Sequence, residues 1–478
     1  MHTHQQWFAT GALTALFAAT PIVTQAQSKA DFEALRTKVE ALEDRLAESE
    51  GLKKSSAADA LKLSDSITEL KLSGDLRLRY QYDNLDDQIA RADSSNPNGR
   101  DRNDTQRSRY RFRLRLNADF KLQGGFFGGV RLQTSENSDS ADQTYEDGFK
   151  NYDIFISRAY LGWKNEWLTL TGGKVPNPFY STDLLWDNDI NPTGLTQSVR
   201  FHELFGSERS VETYSKDGKS IASTEAVKPP WEVTLNLGEF IYDDNPEGAF
   251  DNDSSEDAYI FAGQLVATYK FSKDFSATIA PGVMLFNAAD LSGFSNAGSF
   301  SDASGVSGES RKLTIITAPG DVSFKLGSVA AKFYWDFAYN TQGKERVDDV
   351  YQVLSVRPDG EVRSKHQSVD DFAFLVGVEF GKLKKAGDWS INLNYRQTGI
   401  ASVDPNLNDS TFALSFLNTR GPQIGLAYNV TDFLTASVIY SKAWNLRDNL
   451  YGGHATGGAG IAPGNSIDVL QVDLNVKF

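Results

Sequence analysis

From residue 68 onward, apolar and polar positions alternate in one segment after another. "ELKLSGDLRLRYQY" (69–82) puts Leu70, Leu72, Leu76, Leu78, Tyr80 and Tyr82 on one face and Lys71, Ser73, Asp75, Arg77, Arg79 and Gln81 on the other. A period of two is the side-chain period of a β-strand. "RSRYRFRLRL" (107–116) follows the same rule, with Arg107, Arg109, Arg111, Arg113 and Arg115 on one face, and it continues in phase through "NADFKL". Similar segments recur to the last strand, "IDVLQVDLNVKF" (467–478). With two vaguer ones, near 198–205 and 313–326, the pattern predicts sixteen strands.

The connections alternate in length. Short turns such as "QGG" (123–125), "KNE" (164–166) and "TD" (431–432) alternate with long polar stretches at 83–106, 136–150, 176–197, 244–257, 287–311, 341–367, 398–420 and 444–466. Strands of about ten residues, with short turns at one rim and long loops at the other, are the signature of a transmembrane β-barrel. A soluble sandwich would bury its apolar faces in a shared core and would not keep such tall, aromatic-rich faces over so many hairpins. One stretch, 206–230, is a long insertion on the short-turn side.

The barrel fixes which way the arginines point. An Arg facing lipid at the bilayer midplane costs roughly 2–4 kcal/mol, so five on one strand would cancel the stability of an ordinary domain. They must face the lumen. Neighbours on that face stand about 6.8 Å apart, where repulsion is about 0.6 kcal/mol in water and on the order of 10 kcal/mol in a dry interior. The lumen is therefore wet, or carboxylates pair with the ladder, or both. Lumen-phase acids such as Asp75, Asp119, Asp336 and Asp473 are available. The third outer loop, "PNPFYSTDLLWDNDINPTGLTQ" (176–197), carries Asp183, Asp187 and Asp189 and no Lys or Arg. Folded inward, it would set carboxylates against the arginines and form a constriction with a transverse field; otherwise it is a solvated surface loop.

The N-terminal region is different. Residues 1–26 fit an export signal, with the apolar "FATGALTALFAAT" and small residues for cleavage after Ala26, although the preceding "MHTHQQW" lacks Lys and Arg. In 27–50, Phe32, Leu35, Val39, Leu42 and Leu46 keep heptad spacing. This helix either self-associates, as a trimer, or packs alone on the rest of the chain. Residues 51–67 make a linker, and 68–478 the barrel. The formal net charge of −15 argues against nucleic acid as a partner. The absence of cysteine excludes disulfides and thiolate metal sites.

"GGKVPNPFYSTDLLWDNDINPTGL", together with "SGDLRLRYQY", "RYRFRLRLNADFKL", "RAYLGW" and the terminal Phe478, resembles the bacterial outer-membrane family called putative porins. More distantly, the heptads and the arginine ladder are similar to those of phosphate-selective porins. The resemblance implies a barrel in the outer membrane, among lipid and lipopolysaccharide, that passes small hydrophilic solutes. It also implies that Phe478 ends a strand signal read by the barrel-assembly machinery. The expected function is passive diffusion with an anion bias from Arg77, Arg79, Arg107, Arg109, Arg111, Arg113, Arg115 and Arg131. A substrate-selective anion channel, or a structural barrel tethered through the coiled coil, are the alternatives. No cofactor is expected, though "DRND" (101–104) and "DNDSSED" (251–257) could bind calcium. His202, His366 and His454 form no recognisable catalytic partnership, so an enzyme is not expected.

Overall fold

A computed structural model describes residues 64–89, 102–135, 140–204, 207–214, 220–227, 229–243, 258–287, 313–347, 366–447 and 466–478. The expected signal segment, the heptad helix and nearly all of the linker lie outside the described residues, as do the acidic cluster at 251–257 and the side chains of 101–104.

Sixteen antiparallel strands close into a barrel. They are β1 (Ile67–Ile89), β2 (Arg102–Leu122), β3 (Phe126–Gln133), β4 (Phe155–Lys164), β5 (Leu168–Lys174), β6 (Thr193–Arg200), β7 (Trp231–Asp243) and β8 (Ala258–Ser272), followed by two interrupted strands. β9 is Phe275–Ile279 continued by Gly282–Asn287, and β10 is Thr314–Thr317 continued by Gly320–Leu326. The breaks fall at Pro281 and Pro319, which have no N–H to give the ladder, while their carbonyls still accept from Leu265 and Ala280. β11 (Val329–Asn340), β12 (Phe372–Gly381), β13 (Trp389–Thr398), β14 (Thr419–Asn429), β15 (Leu434–Asn445) and β16 (Ser466–Lys477) complete the wall.

Closure is made by β16 on β1, in register from Asp75↔Lys477 to Asp86↔Ser466. Phe478 extends the seam: its N–H donates to the Gly74 carbonyl at 3.0 Å, and the Gly74 N–H donates to the Phe478 carbonyl at 2.7 Å. The alternation seen in the sequence is the in–out alternation of the wall. Leu72, Tyr110, Leu161, Phe333 and Leu474 stand exposed on the outside, as a lipid-facing band requires.

Two sequence expectations shift. The strand expected near 198–205 is Thr193–Arg200, and Phe201–Leu204 turns as a short helix, α1. Only Leu195 and Val199 supply its outward apolar positions, so Phe201 and Leu204 displaced the reading downstream. Half of the loop expected at 83–106 is strand, because β1 and β2 run to Ile89 and from Arg102, each about twice the ten or so residues a bilayer needs. The 206–230 insertion holds a separate antiparallel ribbon, Ser207–Tyr214 paired with Ser220–Val227.

The apolar core lies inside the barrel, where two outer loops fold in. Leu184, Leu185 and Trp186 from the β5–β6 loop, and Ile400, Val403 and Leu407 from the β13–β14 loop, pack on Phe240, Ile260, Met284, Ile315 and Leu375. These wall residues belong to β7–β12. A second cluster holds Phe412 and Phe416 against Leu85, Ala443, Ile467 and Val469 at the seam. Between them Ala413, Leu414 and Ser415 all take left-handed backbone angles (φ 53°, 54° and 66°). That costs roughly 1–2 kcal/mol per residue and persists because both flanking aromatics are anchored.

Candidate functional site

The register of β1 and β2 sets arginines directly opposite one another: Arg77↔Arg113 and Arg79↔Arg111, with Asp75↔Arg115 below and Gln81↔Arg109 and Asp83↔Arg107 above. Like charges facing across a ladder are destabilising, and carboxylates relieve them. Asp75 accepts from Arg113 Nη2 (2.8 Å) and Arg115 Nε (2.7 Å). Asp473 on β16 accepts two bonds from Arg79, at 2.7 and 2.8 Å, the paired geometry that makes Arg–carboxylate contacts strong. Asp83 accepts from Arg109 at 2.5 Å. Arg107, at the outer end, is exposed.

The centre of the network is Asp142, carried in by the β3–β4 loop. A two-residue bridge, Gln143–Thr144, pairs with Phe112 and Arg111 and pins this loop to the wall. Asp142 contacts Arg77 at 2.6 Å, Arg79 at 3.0 Å and Arg111 at 3.9 Å, and its carbonyl accepts from Arg111 at 3.1 Å. Burial alone would raise its pKa, but the guanidiniums of Arg77, Arg79 and Arg111 outweigh burial and hold the carboxyl well below the usual range.

The three aspartates of the β5–β6 loop go to different places. Asp189 reaches the ladder, 3.3 Å from Arg115 and 3.5 Å from Arg113. Asp187 turns to the β13–β14 loop: its N–H donates to the Leu407 carbonyl at 2.6 Å, and its carboxylate accepts from the backbone N–H of Asp189 and Ser410. The Asp183 carbonyl accepts from the Asp409 N–H at 3.2 Å. Burial, and then the nearby Asp409 carboxylate, push Asp183 up to about 6 and lift Asp187 well above the ordinary range. So one of the three carboxylates meets the arginines, while Asp187 joins loop to loop through its N–H and carboxylate and Asp183 through its main-chain carbonyl.

At its other end this loop meets the far wall. Tyr180 OH donates to Asp321 on β10 at 2.6 Å, and Thr182 OH donates to Asp336 on β11 at 2.8 Å. β2 and β10 lie eight strands apart in a ring of sixteen, so the loop spans the lumen from the arginine wall to the side opposite. Its apolar residues fill the β7–β12 side, while the β2–β6 side is lined by polar and basic groups.

Three cations of β3, β4 and β5 have no carboxylate partner among the described residues. Arg131 Nε donates to Asn117 and Arg158 Nε to Asn191, both at 2.6 Å, and Lys174 Nζ donates to the Asn191 carbonyl at 3.1 Å. Arg131 belongs to the sequence-derived ladder; Arg158, Lys174, Asp142, Asn191 and the whole inward β13–β14 loop were not singled out. The loop did carry a signal, since Ile400, Val403, Leu407, Phe412, Leu414, Phe416 and Leu417 are too many apolar residues for an exposed connection. Among the described residues, no group of three or more His, Cys, Asp or Glu is placed to hold a metal ion.

Solved structures similar to this chain include porins. OprB from Pseudomonas putida, at high pH, is 10% identical, with 86% of this chain and 94% of that one covered and a TM-score of 0.46. OmpF from Salmonella typhi in complex with daunomycin is 12% identical, covering 86% and 97%, with a TM-score of 0.42. A mutant of the Rh. blastica porin is 10% identical, covering 86% and 100%, with a TM-score of 0.39. No curated protein matches the chain. The sequence model of one family spans residues 34–314 and 318–478, almost the whole barrel and part of the region before it, and on that match the chain belongs to the putative porin family.

Proposed function

We propose that this outer-membrane barrel passes small hydrophilic solutes by diffusion along its basic wall, β1–β6, with a preference for anions. The observation that carries the reading is a charge count at that wall. Arg77, Arg79, Arg109, Arg111, Arg113, Arg115, Arg131 and Arg158 face the carboxylates of Asp75, Asp83, Asp119, Asp142, Asp189 and Asp473, leaving two cations in excess despite an acidic chain. A narrow passage with low-dielectric walls focuses such an excess on passing ions. The heptads at 32–46 support a homotrimer, and the outward Leu470, Val472, Leu474 and Val476 leading to Phe478 support recognition by the barrel-assembly machinery. Lipid and lipopolysaccharide would be the barrel's surroundings, and no catalytic role enters this reading.

Reversal potentials across a planar bilayer under a KCl gradient test the preference. The expected sign is that of chloride permeating faster than potassium. Cation preference, unchanged when Arg77, Arg109 and Arg131 are replaced by serine, would refute it.

A further inference from the structure

We propose that Arg131 and Arg158 form a binding site for a small oxyanion, a carboxylate or a phosphate, in the pore wall. The inference rests on the porin reading and names the group on which an anion pauses. Arg131 and Arg158 are register partners on β3 and β4, so their Cβ atoms stand about 5 Å apart. Two cations directly opposite repel, and elsewhere on this wall each member of such a pair reaches a carboxylate. Here the partners are neutral. Asn117 and Asn191 each take one Nε hydrogen, and the Asn191 carbonyl takes one from Lys174.

Those bonds fix orientation without cancelling charge. The carboxylates close by are engaged elsewhere: Asp75 and Asp189 with Arg113 and Arg115, and Asp119 with the Tyr160 hydroxyl at 3.3 Å. Among the described residues neither guanidinium uses its Nη atoms, and both side chains are only half-buried. Two planar forks with donors to spare fit the oxygens of a carboxylate or phosphate, which can accept from both at once. Asn191 is the positioning residue, since it holds Arg158 and Lys174 to the inward loop.

The test is block of chloride current through the whole protein in a planar bilayer. Inorganic phosphate in one arm and succinate in the other are raised at constant ionic strength and pH 8. Expected is a saturating fall of the current in at least one arm, which also tells phosphate from carboxylate. The half-blocking concentration should rise tenfold or more in the R131Q/R158Q double variant and stay within twofold in K150Q, which removes a charge from an exposed loop. Because the double variant changes two wall residues, N191D is a second probe: it keeps every cation and places a carboxylate against Arg158, and should also relieve the block. A linear, non-saturating fall in both arms, or half-blocking concentrations unchanged in the double variant and in N191D, would overturn the site. Absence of any chloride current in the wild type would instead overturn the porin reading beneath it.

Discussion

Replacing Asp142 by asparagine is expected to destabilise the barrel by about 3–5 kcal/mol, the cost typical of breaking a buried ion pair by removing one partner. Asp142 is 2% exposed and neutralises three arginines at once. Without it Arg79 keeps Asp473 and Arg111 keeps Gln81, but Arg77 keeps no carboxylate among the described residues. The urea midpoint for loss of the folded, fast-migrating form on unheated detergent gels should fall, and anion preference should rise, because the wall gains one net positive charge. A midpoint equal to that of the wild type would show that the network carries little of the stability. Acid should reproduce the effect only in part. A carboxyl with a depressed folded-state pKa stabilises above its unfolded value, near 4, and loses that contribution as pH falls through the folded one. For Asp142 that window lies below the ordinary carboxylate range.

The second large effect is expected at the seam. A Cβ added at Gly74 would lie 2.6 Å from the Phe478 ring and 2.7 Å from the Arg115 carbonyl oxygen. The ring could swing away, but the carbonyl belongs to the β1–β2 ladder and cannot move without breaking it. Gly74→Val should therefore leave β1 unable to pair with β2 and β16 together, and the heat-modifiable form should be lost or reduced to a small fraction. Gly263→Ala is the control. Its Cβ would meet only the Leu237 side chain, at 3.4 Å, and folding should be normal. Equal folding of both variants would mean that the seam tolerates displacement.

Much of the barrel was legible because a period of two survives in almost every strand, and the arginine ladder is the same signal written in charge. What was not legible has identifiable causes. Arg131 stands opposite Arg158 only because Ser157 is an extra, unpaired residue: Leu132 pairs with Ile156 and Arg131 with Arg158. This bulge lets Ile156 face out while Arg158 faces in, against strict alternation. Asp142 had no periodic signal, since a loop contact depends on where the chain returns. The reach of Asp189 to the ladder, and of Asp183 and Asp187 to the β13–β14 loop, likewise follows from packing across the lumen. Leu184 and Trp186 bind one loop to the far wall, and a reading strand by strand cannot register that.

The central claim is that solutes move along the β1–β6 wall while loops 175–192 and 399–418 close off the β7–β12 side. The chain contains no cysteine, so single cysteines can be read without background. With the protein in a planar bilayer, a charged methanethiosulfonate reagent is added while current is recorded from Thr171→Cys and Arg131→Cys on the basic wall, and from Ala338→Cys and Ala373→Cys, which are fully buried beneath the inward loops. The account predicts a stepwise loss of current in the first pair and none in the second. Block at positions 338 and 373, with positions 171 and 131 unreactive, would contradict it.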